Sequence, residues 1–339
     1  MMSTVLVVGG GLAGAATAKE LAASGVRVLM AEATGALGGK VCDYGCKAAS
    51  KCSNCGVCLT KGLWSEIEES DLVDVRLETR LVDLRGDRGA YTAALKSGGK
   101  VDYVEGISDV VVATGFKNES FEDAHAFVEV AGACEDGGSS IIMGSDIERI
   151  FKGRDAAEIF EKTPERIAFI QCFGSRDKAN HAMYCSRVCC AYSSRAAKVI
   201  RQYHPACDIV FFYMEMQQVQ SGDYFDELKA LGVKFIKCRP VKVTAGEPAC
   251  VVFDNPETGR RESLSFDLVV LSNGIQSADD AAGIAEVCGL GQDAAGFLKY
   301  VTDVDDAKRT GVYIVGCAGG PAKIEDVYAE AVAVARCIA

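Results

Sequence analysis

Residues 4–32, TVLVVGGGLAGAATAKELAASGVRVLMAE, leave little freedom in how this chain begins to fold. A continuous apolar run, a turn spelled Gly9-x-Gly11-x-x-Gly14, an alanine-rich segment, a second apolar run and an acid follow in order. That is strand, glycine turn, helix, strand, the plan of a dinucleotide-binding βαβ unit. Each glycine answers one requirement: Gly9 the tight turn, Gly11 the approach of backbone to a pyrophosphate, Gly14 the close packing of helix on strand. The first helical amides then face phosphate, and Glu32, eighteen residues beyond Gly14, is placed to accept from ribose hydroxyls. Taken singly the glycine pattern would mean little. In this context a purely structural turn is the weaker reading.

The same grammar returns downstream. RIAFIQC, a helical stretch through Arg187 to Tyr203, DIVFFYM, a helical stretch from Asp223 to Leu231, VKFIKC and DLVVLSNG read as a second βαβ series over 166–272. Its glycine turn is missing. After Ile170 the chain reads QCFGSRD, where Gly174 is the only glycine and the bulk of its neighbours obstructs a pyrophosphate. This chain alone is therefore expected to bind NAD(P)H poorly. Its 339 residues leave room for two domains or for one domain inserted into another. Strand-like stretches between 72 and 112 complete the first domain, and 117–162 reads as a glycine-rich linker followed by short helices over 145–152 and 154–162. The expected fold class is α/β: a Rossmann-type domain over 1–118 and 275–339, interrupted by a second Rossmann-like domain over 119–274.

Where the second glycine turn should lie, four cysteines fall within nineteen residues: Cys172, Cys185, Cys189 and Cys190, spaced Cys-x12-Cys-x3-Cys-Cys. Four thiolates are the ligand set of an iron–sulfur cluster. Zinc favours paired hooks, which adjacent cysteines leading into a helix present poorly. Buried apolar cysteines are the bland alternative, and a weak one for four in so short a stretch. Ser175, Arg176, Ser186 and Arg187 flank the thiols, either as donors to sulfur or as a capping serine with solvated arginines. His181 reads as a loop residue rather than a ligand, and His125 and His204 carry no signal. A second run, CDYGCKAASKCSNCGVC, holds Cys42, Cys46, Cys52, Cys55 and Cys58. Cys52-x2-Cys55-x2-Cys58 has ferredoxin-like spacing, with Cys42 or Cys46 available as a fourth ligand. A redox thiol pair, Cys42 and Cys46, is the alternative, and inert thiols the third reading.

Sixteen cysteines without a charged and apolar leader point to reducing cytoplasm, where clustered thiols mean metal or redox chemistry. No apolar run reaches the roughly 20 residues of a membrane helix, so no direct membrane insertion is expected. A net charge of -11 and a pI near 4.9 disfavour nucleic acid, which needs a basic face.

The acid Glu32 followed by ATGALGGK, with Gly38, Gly39 and Lys40, resembles the two-dinucleotide-binding-domain flavoproteins of the glutathione reductase and thioredoxin reductase type. VVVATGF, Val110 to Phe116, resembles that family's Ala-Thr-Gly strand end, and GVYIVGCAGGPAKIEDVYAE from Gly311 resembles its last strand and the helix aimed at the flavin pyrimidine. The resemblance implies FAD held by Gly9, Gly11, Gly14, Glu32, Gly38, Gly39, Thr114, Gly115 and Gly316. It also implies Val82 near the adenine, with Lys40 and Lys323 beside the flavin. Cys317 departs from the pattern, standing where the family carries an aspartate that contacts FAD.

FIQCFGSRD followed by YCSRVCC closely resembles the signature of the heterodisulfide reductase HdrA family, which includes the short HdrA-like proteins of bacterial sulfur-oxidising complexes. The TGF, SDIERI and GVYIVGCA segments are also similar to that family. What this implies is FAD plus a [4Fe-4S] cluster on Cys172, Cys185, Cys189 and Cys190, with a second cluster in the Cys42–Cys58 run as a further option. It implies a homodimeric electron-transfer oxidoreductase subunit that works in cytoplasmic sulfur oxidation with HdrB-like and HdrC-like subunits, and with a lipoate-carrying protein through the complex. Larger members carry ferredoxin-like cluster domains at their ends, so the expectation here is the short form. The competing expectations are a stand-alone flavin-dependent disulfide reductase using Cys42 and Cys46, and an assembly protein in which both groups are only structural.

Overall fold

The computed structural model describes residues 3–48, 52–118, 128–129, 140–153, 159–178, 182–217, 224–301, 307 and 310–339. The chain divides into two compact units, one of Met1–Cys42, Gly56–Lys117 and Gln276–Ala339, the other of Asp43–Cys55 and Asn118–Ile275.

The first unit is built on a seven-stranded sheet. Strands β1 (Thr4–Val8), β2 (Arg27–Ala31) and β3 (Val73–Arg76) run parallel, with helix α1 (Leu12–Ala23) crossing from β1 to β2. The helix can pack closely on all sides because Ala13, Ala15, Ala16 and Ala18, spread around it, are small and buried. β4 (Thr79–Arg85) and β5 (Tyr91–Ser97) form an antiparallel meander with β6 (Lys100–Val112). Periodicity splits this last stretch into two strand-like pieces, but it is a single long strand through Gly106, whose φ of +76° is open to glycine at no steric cost. The exposed first half of β6 belongs to the meander, and its buried second half inserts between β1 and the closing strand Val312–Ile314, parallel to both. The core is therefore aliphatic and continuous: Leu6, Val8, Leu29, Val110, Val112 and Ile314. Burial on both faces of the sheet explains why these strands read as unbroken apolar runs rather than alternating ones.

The second unit has a five-stranded parallel sheet of β7 (Ile141–Met143), β8 (Arg166–Phe173), β9 (Asp208–Phe212), β10 (Lys234–Ile236) and, after a meander, β14 (Leu268–Asn273). Their order across the sheet is β10, β9, β8, β14, β7. Helices α2 (Gly144–Ile150) and α3 (Cys189–Tyr203) contribute Ile147, Ala196, Val199 and Ile200 to one face, against Ile167, Phe169 and Phe211. The other face presents Ala168, Ile170, Val210 and Phe212 to the antiparallel meander β11 (Lys242–Thr244), β12 (Ala249–Asp254) and β13 (Arg261–Phe266). The split follows the two-residue period of a strand. Phe169 stacks on Phe211 with ring centroids 4.8 Å apart on the first face, and Phe212 meets Phe253 edge-on at 5.1 Å on the second.

Two expectations are revised. Residues 141–143 form a sheet strand rather than linker, and 159–162 are not helical, while 154–158 lie outside the described residues. Residues 43–55, expected in the first domain, pack in the second unit. The reason is a polar anchorage. Lys47, 2 % exposed, pairs with Glu148 of α2, Gly45 N–H donates to the Glu148 carbonyl at 3.2 Å, and Arg195 of α3 donates to the carbonyls of Ser53 and Asn54 at 3.1 and 3.0 Å. Burial pushes the Glu148 carboxyl up, against the pull of Lys47 and Arg195.

Candidate functional site

Each unit carries its own candidate site where a parallel strand leads toward its crossover helix, after β1 in the first and after β8 in the second. In the first unit the glycine turn makes a cradle. A Cβ on Gly14 would overlap the Gly9 carbonyl oxygen, and one on Gly9, at φ +108°, would overlap the Ala113 carbonyl. Neither position tolerates a larger residue. Gly11 opens α1 without a side-chain cap, and its nearest neighbour across the turn is the Gly39 Cα, 3.8 Å from where a Cβ would stand. Gly38 N–H donates to the Gly10 carbonyl at 3.1 Å, which lays the Gly38–Gly39 turn over the cradle. The indole N–H of Trp64 donates to the same carbonyl at 3.2 Å, a contact that no sequence pattern announced.

Glu32 is buried and braced. One carboxylate oxygen accepts from Gly10 N–H at 2.6 Å and the other from the Thr34 N–H and hydroxyl, both at 2.7 Å. A carboxylate has about four acceptor positions, so capacity remains for a hydroxyl of a ligand. The Thr114 hydroxyl is shielded from solvent yet makes no hydrogen bond among the described residues, and Gly115 beside it, at φ +76°, has open space where a Cβ would stand. An orphaned hydroxyl next to open space is what a bound polar group would relieve. Lys40 is exposed, its ammonium 5.6 Å from the Phe116 ring centroid. Val82 lies on β4 at a register irregularity, 39 % exposed. Lys323 caps the closing helix Ile324–Ile338 at its N-terminus.

Gly316, at φ +69°, packs against Ala13 of α1. Cys317 is buried, its thiol donates to the Ala322 carbonyl at 3.7 Å, and burial pushes it up to about 11. It is a neutral donor, unlike the aspartate of the resembled flavoproteins. The carboxylate that sequence reasoning missed is Glu330, which accepts from Gly316 N–H at 2.7 Å from fourteen residues downstream.

In the second unit the strand end becomes a thiol loop. β8 slips register against β14 between Ile170 and Phe173, and Cys172 turns out of the strand at φ +61°. Arg176 and Arg187 also adopt left-handed backbone, at +52° and +62°. Non-glycine residues rarely do so, and here surrounding bonds hold them. Arg176 N–H donates to Tyr184 O at 2.9 Å, Asp177 and Ala182 exchange two backbone bonds, and Asp177 pairs with Arg239. The loop then feeds Cys189 and Cys190 into the first turn of α3.

The four thiols lie within electrostatic reach of one another. Cys172, Cys189 and Cys190 are buried, Cys185 is half-buried, and Arg187 N–H donates to the Cys185 sulfur at 3.3 Å. Burial pushes Cys172 up to about 11. Cys189 holds its proton and gives a hydrogen bond to Cys190, which is pulled down to about 7. Neighbouring thiols, three of them buried, resist joint ionisation unless a cation is shared among them. The hydroxyls of Ser175 and Ser186, buried to 1 % and 0 %, have no partner among the described residues. Orphaned donors beside clustered sulfur fit an inorganic acceptor. No group of three or more His, Cys, Asp or Glu among the described residues is placed to hold a single metal ion.

The same loop packs closely on the neighbouring strand end. A Cβ on Gly274, just past β14, would overlap the Ser186 hydroxyl, and Phe173 is buried at the strand end. Below the thiols the hydroxyls of Ser272 and Ser193 are 2.9 Å apart, and Ser272 accepts from Gln171 at 3.0 Å, a polar layer that no sequence pattern marks. His125 and His181 lie outside the described residues, and His204 contacts the Thr163 hydroxyl at 3.2 Å. The second cysteine run is divided: Cys42 and Cys58 belong to the first unit, and Cys46, Cys52 and Cys55 to the second. The Cys42 thiol donates to Gly39 O at 2.9 Å, and Asn54 N–H donates to the Cys52 sulfur at 3.4 Å.

Residues 7–47 match the NAD(P)-binding Rossmann-like domain family. The chain is 29 % identical over 275 residues to the HdrA component of the H(2):CoB-CoM heterodisulfide,ferredoxin reductase of Methanothermobacter marburgensis, covering 76 % of this chain and 40 % of the relative. It is 31 % identical over 212 residues to an HdrA-like heterodisulfide reductase protein of Archaeoglobus profundus, covering 58 % and 30 %. The chain thus spans less than half the length of these relatives. Among solved structures, thioredoxin reductase of T. acidophilum superposes with a TM-score of 0.63 at 16 % identity, over 98 % of this chain and 96 % of that one. A bacillithiol disulfide reductase of Bacillus cereus gives 0.58 at 15 % identity, over 100 % and 99 %. At such identities the likeness is one of fold. No helix among the described residues is long and apolar enough to cross a membrane.

Proposed function

The chain belongs to the HdrA-like family of heterodisulfide reductases, and on that premise we propose that it is an electron-transfer oxidoreductase subunit holding FAD in its first unit and a [4Fe-4S] cluster in its second. When bound, FAD exchanges electrons in pairs and the cluster exchanges them singly. The observation that carries the reading is that Cys172, Cys185, Cys189 and Cys190 lie within electrostatic reach of one another, in a segment with two buried, unpartnered serine hydroxyls.

This chain's residues have distinct tasks. Gly9, Gly11 and Gly14 admit the pyrophosphate to the α1 amides, Glu32 accepts from a ribose hydroxyl while holding the turn closed, and Thr114 donates to the ligand. Gly38 and Gly39 keep backbone rather than side chains against the cradle. Cys189 and Cys190, in the first turn of α3, place their thiolates where helix amides favour negative charge. Ser175 and Ser186 donate to sulfur and so favour the reduced state. The second unit is proposed to bind NAD(P)H weakly, because Ser186 and Phe173 occupy the nucleotide's approach.

In its finer form the proposal is the short HdrA-like member of a cytoplasmic sulfur-oxidising complex, a homodimer working with HdrB-like and HdrC-like subunits and a lipoate-carrying protein. Support for a multi-subunit setting comes from the relatives, which are named as subunits. A second cluster drawing on the Cys42–Cys58 run stays part of the proposal, and iron counting decides it. Anaerobic purification followed by iron, sulfide and flavin analysis tests the whole reading. About one FAD and about four iron atoms per chain are expected, with about eight if the second cluster is present. Strong reduction by NADPH in an iron-free yellow protein would instead establish the stand-alone disulfide reductase.

A further inference from the structure

In each unit the strand that follows the crossover helix is itself followed by an acid: Glu32 directly after β2, and Glu215 three residues after β9. Glu32 grips the glycine turn through Gly10 N–H. Glu215 instead reaches Arg176, in the loop that replaces such a turn, with its carboxylate 3.5 Å from the guanidinium. The same guanidinium lies within electrostatic reach of Cys172, four residues before it in the chain, and of Cys190 at the start of α3. Its direction is fixed from behind by the left-handed backbone at Arg176, the bond from Arg176 N–H to Tyr184 O and the Asp177–Arg239 pair. Residues 215–217 close the same side, since the Gln217 N–H donates to Cys190 and Met216 packs on Cys190 and Ala191. The Arg176 side chain is 29 % exposed and the Glu215 side chain 65 %, so the counterion is the more solvated of the two.

We propose that Arg176 raises the reduction potential of the four-thiol site, with Glu215 as its counterweight. The inference rests on the cluster reading above and deepens it. Reduction adds one electron, supplied in the test by dithionite, which is oxidised to sulfite. No thiolate bond forms or breaks, and the site becomes one charge more negative. A guanidinium within reach of two of the thiolates stabilises the reduced state more than the oxidised one, and so raises the potential. Glu215 opposes this by neutralising part of the guanidinium charge from the solvent side. Its direct effect on the thiolates, from an exposed position, is largely screened.

The test is a dithionite titration of the full chain, anaerobic and monitored by EPR, with iron, sulfide and flavin counted in each sample. Arg176→Gln is expected to shift the midpoint to a more negative potential, and Arg176→Lys, which keeps charge but loses the planar fork, to fall between it and the parent. Glu215→Gln is expected to shift it to a more positive potential, and to do so less in the Arg176→Gln background. Iron-loaded variants whose midpoints coincide with the parent overturn the inference and leave the cluster reading standing. Iron-free parent protein overturns the cluster reading itself. Should Arg176→Gln fail to load iron, Arg176→Lys and Glu215→Gln decide the matter: opposite shifts sustain the inference, and unmoved midpoints in both overturn it. A purely structural role for Arg176 would change loading without moving the midpoint of the fraction that loads.

Discussion

The two units share one frame and put opposite things at its critical end. In the first, the turn after β1 is all glycine, and Thr114 and Gly115 leave an unpartnered hydroxyl beside open space. In the second, β8 itself ends on Cys172 and Phe173, the turn after it runs through Gly174, Ser175 and Arg176, and the corresponding strand end at Gly274 is packed under Ser186. Even the acid beyond the strand that follows the crossover helix is redirected, from Gly10 in one unit to Arg176 in the other. The lesson is that a parallel sheet with a crossover helix presents a polar helix start whatever it serves, and the residues of one turn decide between a nucleotide and sulfur.

The comparison breaks most sharply at the thiols. Cys189→Ala is expected to remove nearly all iron and sulfide while flavin stays at the parent level; loss of both groups together would show that the two sites are not separate. Gly14→Ala is the converse. Its Cβ would overlap the Gly9 carbonyl, a strain of about 1–3 kcal/mol that should weaken FAD retention about 5–150-fold with iron unchanged. Equilibrium dialysis alongside iron analysis distinguishes these outcomes.

The anchorage of 43–55 sharpens the comparison at the next level, because the first unit has no buried ion pair among those described. Lys47→Met leaves Glu148 buried without its partner and should cost about 3–5 kcal/mol by denaturant unfolding. Without Lys47 the Glu148 carboxyl rises further above its unfolded value, so it takes up a proton on folding. Its contribution is then full below the ordinary carboxylate pKa and is lost as pH rises through the folded value, and the variant should be relatively weaker at about pH 8 than at about pH 5. A parallel loss at both values would discard this account.

The smallest expected effects concern the orphaned hydroxyls. In protein stripped of both groups, Ser186→Ala and Thr114→Val each remove a buried, unpartnered donor and should stabilise by about 1 kcal/mol. In loaded protein the sign reverses, Ser186→Ala lowering cluster retention and Thr114→Val lowering flavin retention. Thermal unfolding of both forms checks this, and stabilisation in the loaded form as well would remove these hydroxyls from their proposed roles.

Much of the frame was legible. The strand, glycine turn and helix over 4–31, the helix after the paired cysteines and the strand DLVVLSNG all lie where periodicity put them, because strands buried on both faces must be written in apolar runs. The candidate thiols were legible by residue type. The long β6, the strand 141–143 and the transfer of 43–55 to the second unit were not. Each depends on partners far along the chain, as Lys47 does on Glu148 and Ser53 on Arg195. Glu330, Trp64 and Glu215 stayed invisible for the same reason, since their neighbours at the sites are distant in sequence or lie across a loop.

What the sequence determined by itself was the chemistry on offer: backbone that can approach phosphate at one turn, and thiols that can grip metal at another. Both are properties of residue type and local spacing. Which side chains stand around those groups was decided by tertiary structure alone. The guanidinium of Arg176 meets Glu215, and Ser186 meets Gly274, only because the sheet brings β8, β9 and β14 side by side. Electrostatic influence falls with distance in space rather than along the chain.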